Sequence, residues 1–147
     1  MKKLFILSLT LTLTACSLIK SDEDKAIETA VEWGEAFFNC DYHTAERLCT
    51  PDSRRWLQFA ASNTTQQDID LLCKQAAEVD GAELISEAGD TMRIVQLQVR
   101  NSISPVINGE QSLQIDKALY RIAVVKRNGL WQVRMEGLPR NEKRSHD

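Results

Sequence analysis

The hydrophobic pattern of the chain changes period near residue 79, and this change constrains the fold more than any other feature. Before Val79, apolar residues recur at the spacing of amphipathic helices. After it, apolar and polar residues alternate along segments such as residues 95–100, as expected of half-buried antiparallel strands. Helices followed by a four-stranded antiparallel meander predict an α+β domain.

The first two helices are predicted from their caps and their spacing. Ser21 is a typical N-cap for a helix that runs to about Asn39, and the acidic residues after it suit the helix dipole. Asp41 is a typical N-cap for a short second helix. The first helix carries one broad apolar face: Ile27, Ala30, Val31, Gly34, Phe37 and Phe38. Trp33 lies off this face, so we expect it to line a pocket, to contact a partner or to cover the helix edge.

Two further capping signals follow. Thr50 before Pro51 is typical of a helix restart, because proline is tolerated at the first helical position. Thr64 and Gln67 match a capping box for the continuation of this third helix. The continuation has an expected apolar stripe: Ile69, Leu72, Cys73, Ala76 and Ala77.

The predicted strands span residues 84–88, 95–99 and 113–126, and a fourth follows the hairpin signal Asn128-Gly129. On the long strand, Asp116 and Tyr120 fall on the same face, roughly 13 Å apart. A ligand could lie between them, with Tyr120 donating a hydrogen bond and Asp116 acting as a base. Alternatively, Tyr120 is a core residue and Asp116 faces water.

Residues 1–15 predict a targeting segment. Lys2 and Lys3 precede an apolar run, residues 4–15, that is shorter than the roughly 20 residues a membrane-spanning helix needs. The run ends in Leu13-Thr14-Ala15-Cys16, which resembles the lipobox of bacterial lipoproteins. The resemblance implies a signal peptide cleaved before Cys16 and a lipid on Cys16 that anchors the chain to a membrane. The alternative is a plain secretory signal in which Cys16 stands by accident.

The predicted organisation is a signal peptide at residues 1–15, a lipidated tether at 16–21, one domain at 22–139 and a charged tail at 140–147. By the lipoprotein resemblance, serine rather than aspartate at position 17 favours the outer membrane of the bacterial envelope over the inner one. This residue does not indicate which leaflet of the outer membrane carries the protein.

Three cysteines remain in the expected domain, and an oxidising compartment permits disulfides. Because the number is odd, at most one bridge forms within the chain. Cys49 and Cys73 both lie on predicted apolar stripes and are the predicted pair. The alternative is that these two and Cys40 are all reduced.

Several site classes are excluded by composition. The net charge is −3 with no basic block, so no nucleic-acid partner is predicted. The only histidines are His43 and His146, and the chain has no Cys-x-x-Cys pair. A metal site is therefore not predicted, and neither is a cofactor.

The order of elements resembles the nuclear transport factor two-like, cone-shaped fold. The residues that carry the resemblance are Phe37-Phe38, Cys40-Asp41-Tyr42, Ala45-Glu46-Arg47-Leu48, Thr50-Pro51 and Gly129-Leu130-Trp131-Gln132-Val133. They are similar to those of small bacterial lipoproteins with this fold, over residues 22–138. The resemblance implies N-terminal helices packed on a curved four-stranded antiparallel sheet that encloses a pocket. Some members of this superfamily are enzymes with Asp, His or Tyr in that pocket, and many dimerise through the open sheet.

The sequence leaves three alternative functions open. The first is a lipid-anchored envelope protein without enzymatic activity that binds a small molecule or a protein, with Tyr120, Asp116 and Trp33 as candidate binding residues. The second is a small pocket enzyme of the cyclase, isomerase or dehydratase type, which a buried Asp116 or His43 facing a cavity would support. The third is a structural homodimer, marked by an exposed apolar stripe on the long strands.

Overall fold

The computed structural model of the chain describes residues 20–104 and 111–142. The predicted signal peptide, Cys16, most of the tether and the end of the tail lie outside the described residues. The helices are α1 (Asp22–Phe38), α2 (Tyr42–Arg47), α3 (Arg54–Asn63) and α4 (Gln66–Lys74), with a 3₁₀ turn at Pro51–Ser53. The strands are β1 (Glu78–Ala88), β2 (Met92–Arg100), β3 (Ser102–Ser104), β4 (Leu113–Ile115), β5 (Ala118–Arg127) and β6 (Leu130–Arg134).

The main sheet has four antiparallel strands in the order β1-β2-β5-β6. Strands β3 and β4 pair with each other in a separate two-stranded sheet. Helices precede the four-stranded antiparallel sheet, so the predicted α+β class is confirmed. The hairpin predicted at Asn128-Gly129 joins β5 to β6, with both residues at positive φ as a tight two-residue turn requires.

Helix α1 is the centre of the core and packs against all four strands of the main sheet. Gly34 lets it lie close to them, because a Cβ at this position would be 2.7 Å from Leu97 Cδ1. Trp33 is 0% exposed and is part of the core, so it does not cover an exposed helix edge. Helix α1 contacts α2 as well as the sheet, which buries more of its circumference than one face.

The predicted caps hold for the first two helices. Ser21 caps α1 in a capping box with Asp24, and Asp41 caps α2 by accepting from the Thr44 backbone N–H. The third prediction is wrong by one residue, because Thr65 and not Thr64 caps α4. The Thr64 hydroxyl is used elsewhere, since it bonds to Tyr42 and to the Ala60 carbonyl.

Helix α4 buries less of its predicted stripe than expected. Leu72 and Ala77 are buried, whereas Ile69 is 36% exposed and Cys73 is exposed. The helix ends at Lys74, so Ala77 is buried on the segment that enters β1 rather than on the helix.

Two strands differ from their predicted bounds. β1 begins at Glu78 rather than at residue 84, because register shifts at Val79/Gly81 and Leu84/Ser86 interrupt its alternation. The predicted strand at 113–126 is two strands in two sheets, separated by a bend at Asp116 and Lys117. Alternate residues of β5 from Ala118 onward are buried, and continuing this alternation backward would bury the Asp116 carboxylate without a partner.

The segment after α2 is joined directly to β6. Thr50 N–H donates to the Val133 carbonyl (2.9 Å), and Val133 N–H donates to the Leu48 carbonyl (2.8 Å). The buried Ser53 hydroxyl accepts from Met135 N–H at 2.8 Å. Thr50 and Ser53 are therefore internal polar residues whose bonds fix the helical half of the domain onto the last strand.

Within residues 20–104 and 111–142, no helix is long and apolar enough to cross a bilayer.

Candidate functional site

A cavity of about 390 Å³ lies between the helices and the strands β3, β4 and β5. Its volume is within the range of about 300–1,000 Å³ that is usual for small-molecule sites. The end of α1, the start of α2, α3 and α4 form one side, and Ile103, Ile115 and Tyr120 come from the strands. Residues 138–141 contribute the remaining lining.

Aromatic rings form much of the cavity wall. Phe38 lies against Tyr120 with 4.4 Å between ring centroids, and Phe37 meets Tyr42 edge-on at 5.8 Å. The Tyr120 hydroxyl bonds to the buried Ser102 hydroxyl at 3.0 Å. These rings offer flat apolar surface, with their hydroxyl groups held by neighbouring residues.

One side of the cavity carries a polar cluster. The Thr64 hydroxyl donates to the Ala60 carbonyl at 2.9 Å and lies 2.8 Å from the Tyr42 hydroxyl, which therefore donates to it. Tyr42 also lies 3.5 Å from the Cys40 sulfur. Burial raises the pKa of Tyr42, and Cys40 and Asp68 add to this increase, so Tyr42 is a neutral phenol at physiological pH.

The backbone at Cys40 directs the chain into this cluster. Cys40 has φ of 61°, in the left-handed region that a residue with a Cβ enters at a cost of about 1–2 kcal/mol. The turn ends α1, with Cys40 N–H on the Phe37 carbonyl and Asp41 N–H on the Ala36 carbonyl. It brings both the Cys40 thiol and the Tyr42 ring to the cavity wall.

Asp68 is the charged side chain of the cluster, and sequence reasoning did not find it. One carboxylate oxygen, Oδ2, accepts from the Thr65 backbone N–H at 2.8 Å as part of the α4 capping box. The other, Oδ1, is buried and has no hydrogen-bond partner among the described residues. The side chain is 8% exposed and borders the cavity. The spacing of Thr65 and Asp68 signals the cap, but the burial depends on how α4 packs.

No protein-family model matches the sequence, and no curated protein matches it. Among solved structures, the chain is similar to an "Ntf2 like protein involved in plasmid conjugation", at 14% identity and a TM-score of 0.41. The match covers 82% of this chain and 49% of that one, so the chain spans about half of that protein's length. At this level of similarity, function has to be argued from the cavity itself.

The predicted binding residues separate in the structure. Tyr120 lines the cavity. Asp116 is exposed at the bend between β4 and β5 and is not among the lining residues, so the structure does not bring Asp116 and Tyr120 together in this cavity. Trp33 is fully buried and belongs to the core, where its Nε1–H donates to Cys49 Sγ at 3.0 Å. His43 is exposed.

The predicted disulfide is also absent from the structure. Cys40, Cys49 and Cys73 are free thiols, of which Cys49 is buried and Cys73 is exposed. Cys49 faces the Trp33 indole on the core side, whereas Cys73 lies on the solvent side of α4. The pairing was predicted because both cysteines lie on expected apolar stripes. The structure corrects the stripe of α4, since Cys73 is exposed there.

We expect the thiols to react in the order of their exposure. Burial raises the pKa of the Cys49 thiol to about 12, so its thiolate fraction at pH 8 is about a thousandfold below that of an ordinary cysteine. Timed maleimide labelling at pH 8, read by peptide mass, should modify Cys73 first and leave Cys49 protected until urea unfolds the protein. Protein made in an oxidising compartment with a mass deficit of about two daltons, for two lost hydrogens, would contradict the free thiols.

The outer face of the main sheet carries polar side chains along the β1–β2 pair. Gln98 donates to Asp80 at 2.8 Å and Gln96 donates to Glu83 at 3.0 Å, both across the β1–β2 pair. This part of the sheet is therefore polar, and Ile85 is the exposed large apolar residue of β1. Among the described residues, no group of three or more His, Cys, Asp or Glu side chains is placed to hold a metal ion.

Proposed function

We propose that the chain is a lipid-anchored envelope protein that binds a small, largely apolar molecule in the cavity bordered by Phe37, Phe38, Tyr42 and Tyr120. The observation that carries the binding role is the cavity itself, about 390 Å³ of space walled by aromatic rings. Burying the apolar surface of a ligand against such walls is favourable by roughly 25 cal/mol per Å² of surface removed from water.

The polar groups of the cavity favour binding over catalysis. Asp116 and His43, the residues that would have supported a pocket enzyme, are both exposed. The Tyr42 phenol is neutral and already donates to Thr64, so it is poorly placed to accept a proton from a substrate. The membrane anchor is proposed from the lipobox resemblance at Cys16 alone.

Ligand binding can be tested on residues 20–147, which leave out the predicted signal peptide and the predicted lipid-bearing Cys16. Native mass spectrometry of this chain should show a mass excess from a retained small molecule. Fluorescence titration with the neutral apolar probe N-phenyl-1-naphthylamine should give binding at one site. We expect Ala60→Phe to weaken probe binding at least about tenfold, since Ala60 borders the cavity and the larger ring occupies it.

The neighbouring residue provides the matched control. Ala61 is exposed on the same helix and does not line the cavity, so Ala61→Phe should leave probe binding unchanged. Circular dichroism of both variants checks that they fold. Probe binding that persists in Ala60→Phe, or a bare mass together with no probe binding, would exclude the cavity as a ligand site and direct the search to protein partners.

A further inference from the structure

The Asp68 carboxylate has an unmet hydrogen-bonding requirement inside the cavity. Its Oδ2 atom is held by Thr65 N–H, while Oδ1 is closed off from bulk water with no partner among the described residues. A buried acceptor left unpaired is unfavourable, and more so when it is charged. Asp68 occupies the third position of α4, close to the positive end of the helix dipole.

Three polar side chains that line the cavity near Asp68 already have their protons committed. The Tyr42 proton goes to Thr64, and the Thr64 proton goes to the Ala60 carbonyl. Asn63 Nδ2 donates to the Phe59 carbonyl at 2.8 Å. Since an ionised carboxylate accepts hydrogen bonds and donates none, the missing partner must bring its own N–H or O–H group.

The surroundings of Asp68 favour a cationic N–H donor over a neutral donor and over an anionic ligand. A cationic N–H group forms a charge-assisted hydrogen bond to a carboxylate, roughly twice as strong as a neutral one. The aromatic faces of Phe37, Phe38 and Tyr42 also attract a cation. An anionic ligand would place a second negative charge near Asp68, which is unfavourable. Arg140, the cationic residue of the lining, is exposed, so water and salt screen its attraction for an anion.

We infer that the cavity selects amphipathic amines, with the ammonium group at the Asp68 carboxylate and the apolar body against Phe37, Phe38 and Tyr120. This inference rests on the proposed function, because it names the chemical class of the molecule that the cavity binds. It assigns Asp68 as the residue that determines specificity, a role separate from its cap on α4.

The test compares three probes of similar size: 2-phenylethylamine, 2-phenylethanol and phenylacetate. Each probe is titrated into the ¹⁵N-labelled chain of residues 20–147, and its Kd is measured by NMR from the changes in backbone amide chemical shifts. For the unaltered chain we expect the amine to bind at least about tenfold more tightly than the alcohol, and the acid to bind most weakly. The affected amides should include those of Thr65, Asp68 and Ile103.

Asp68→Asn removes the charge but keeps a carbonyl oxygen for the Thr65 cap. It should weaken amine binding about 10- to 100-fold while changing alcohol binding less than about threefold. The matched control is Asp70→Asn, an exposed carboxylate on the same helix, which should leave all three Kd values unchanged.

The outcomes separate this inference from the proposed function. Equal binding of amine and alcohol to the unaltered chain would overturn the role of Asp68, while the cavity would remain a binding site. Equal weakening of both probes by Asp68→Asn would do the same. If no probe binds and N-phenyl-1-naphthylamine also fails to bind, the proposed function fails as well. The comparison of probes on the unaltered chain needs no variant, so it holds even if Asp68→Asn does not fold.

Discussion

Replacing Trp33 with alanine is expected to lower the free energy of unfolding by about 3–5 kcal/mol, the usual cost of removing a large aromatic side chain from a core. Trp33 is 0% exposed and stacks on Phe37 with 4.7 Å between ring centroids. Its indole N–H donates to Cys49 Sγ, so the variant also removes the partner of a buried thiol. A domain of this size has a total stability of about 5–15 kcal/mol, so this loss is a large part of it.

The measurement is urea unfolding followed by circular dichroism, with the midpoint and slope compared between variants. Trp56→Ala is the matched control, because Trp56 is half-buried on α3 with the Arg55 guanidinium over its ring at 5.2 Å. We expect a clearly smaller loss there. If both variants lost the same free energy, Trp33 would not be the centre of the core.

Replacing Cys16 with alanine is expected to abolish fatty-acid incorporation into the protein. The lipobox resemblance places both lipid attachment and cleavage at this residue, so the variant should carry no acyl chain and should keep residues 1–15. Each acyl CH₂ buried in a bilayer contributes about 0.8 kcal/mol, and several chains together anchor a protein stably. The measurement is labelling with an alkyne fatty acid in a Gram-negative host, combined with intact mass.

Cys73→Ala is the control for this experiment. Cys73 is the exposed cysteine among those that the structure describes, so it is the one most open to unspecific modification. The control should retain the full label and a mass that begins at Cys16. Label that survives in Cys16→Ala, or an unaltered protein without label, would contradict the lipoprotein prediction.

The elements with strong local signals could be predicted from the sequence. Ser21 and Asp41 cap their helices because the capping side chain and its target N–H are close in sequence. The Asn128-Gly129 turn is local in the same way. The period change near residue 79 gave the α+β class, since each period reflects one kind of buried face.

The candidate site depended on long-range packing, and sequence reasoning found only part of it. Tyr120 was found because alternation identifies an inward position on β5. Asp116 satisfied the same alternation but lies beyond a bend that alternation does not reveal. The burial of Trp33 and Asp68 arises from elements far apart in sequence. Trp33 lies in the core with residues of the main sheet, and Asp68 borders a cavity whose wall includes Ile103 and Tyr120.

The bonds between the helical half and β6 determine when folding can finish. The hydrogen bond from Met135 to Ser53 spans 82 residues, and Val133 pairs with Leu48 and Thr50 over similar separations. Contacts at such separations are slow to form, because the closure entropy of a long loop opposes them. A growing chain therefore cannot complete this core until β6 has emerged. The helices must wait, incompletely packed, until the chain has been released as far as Met135.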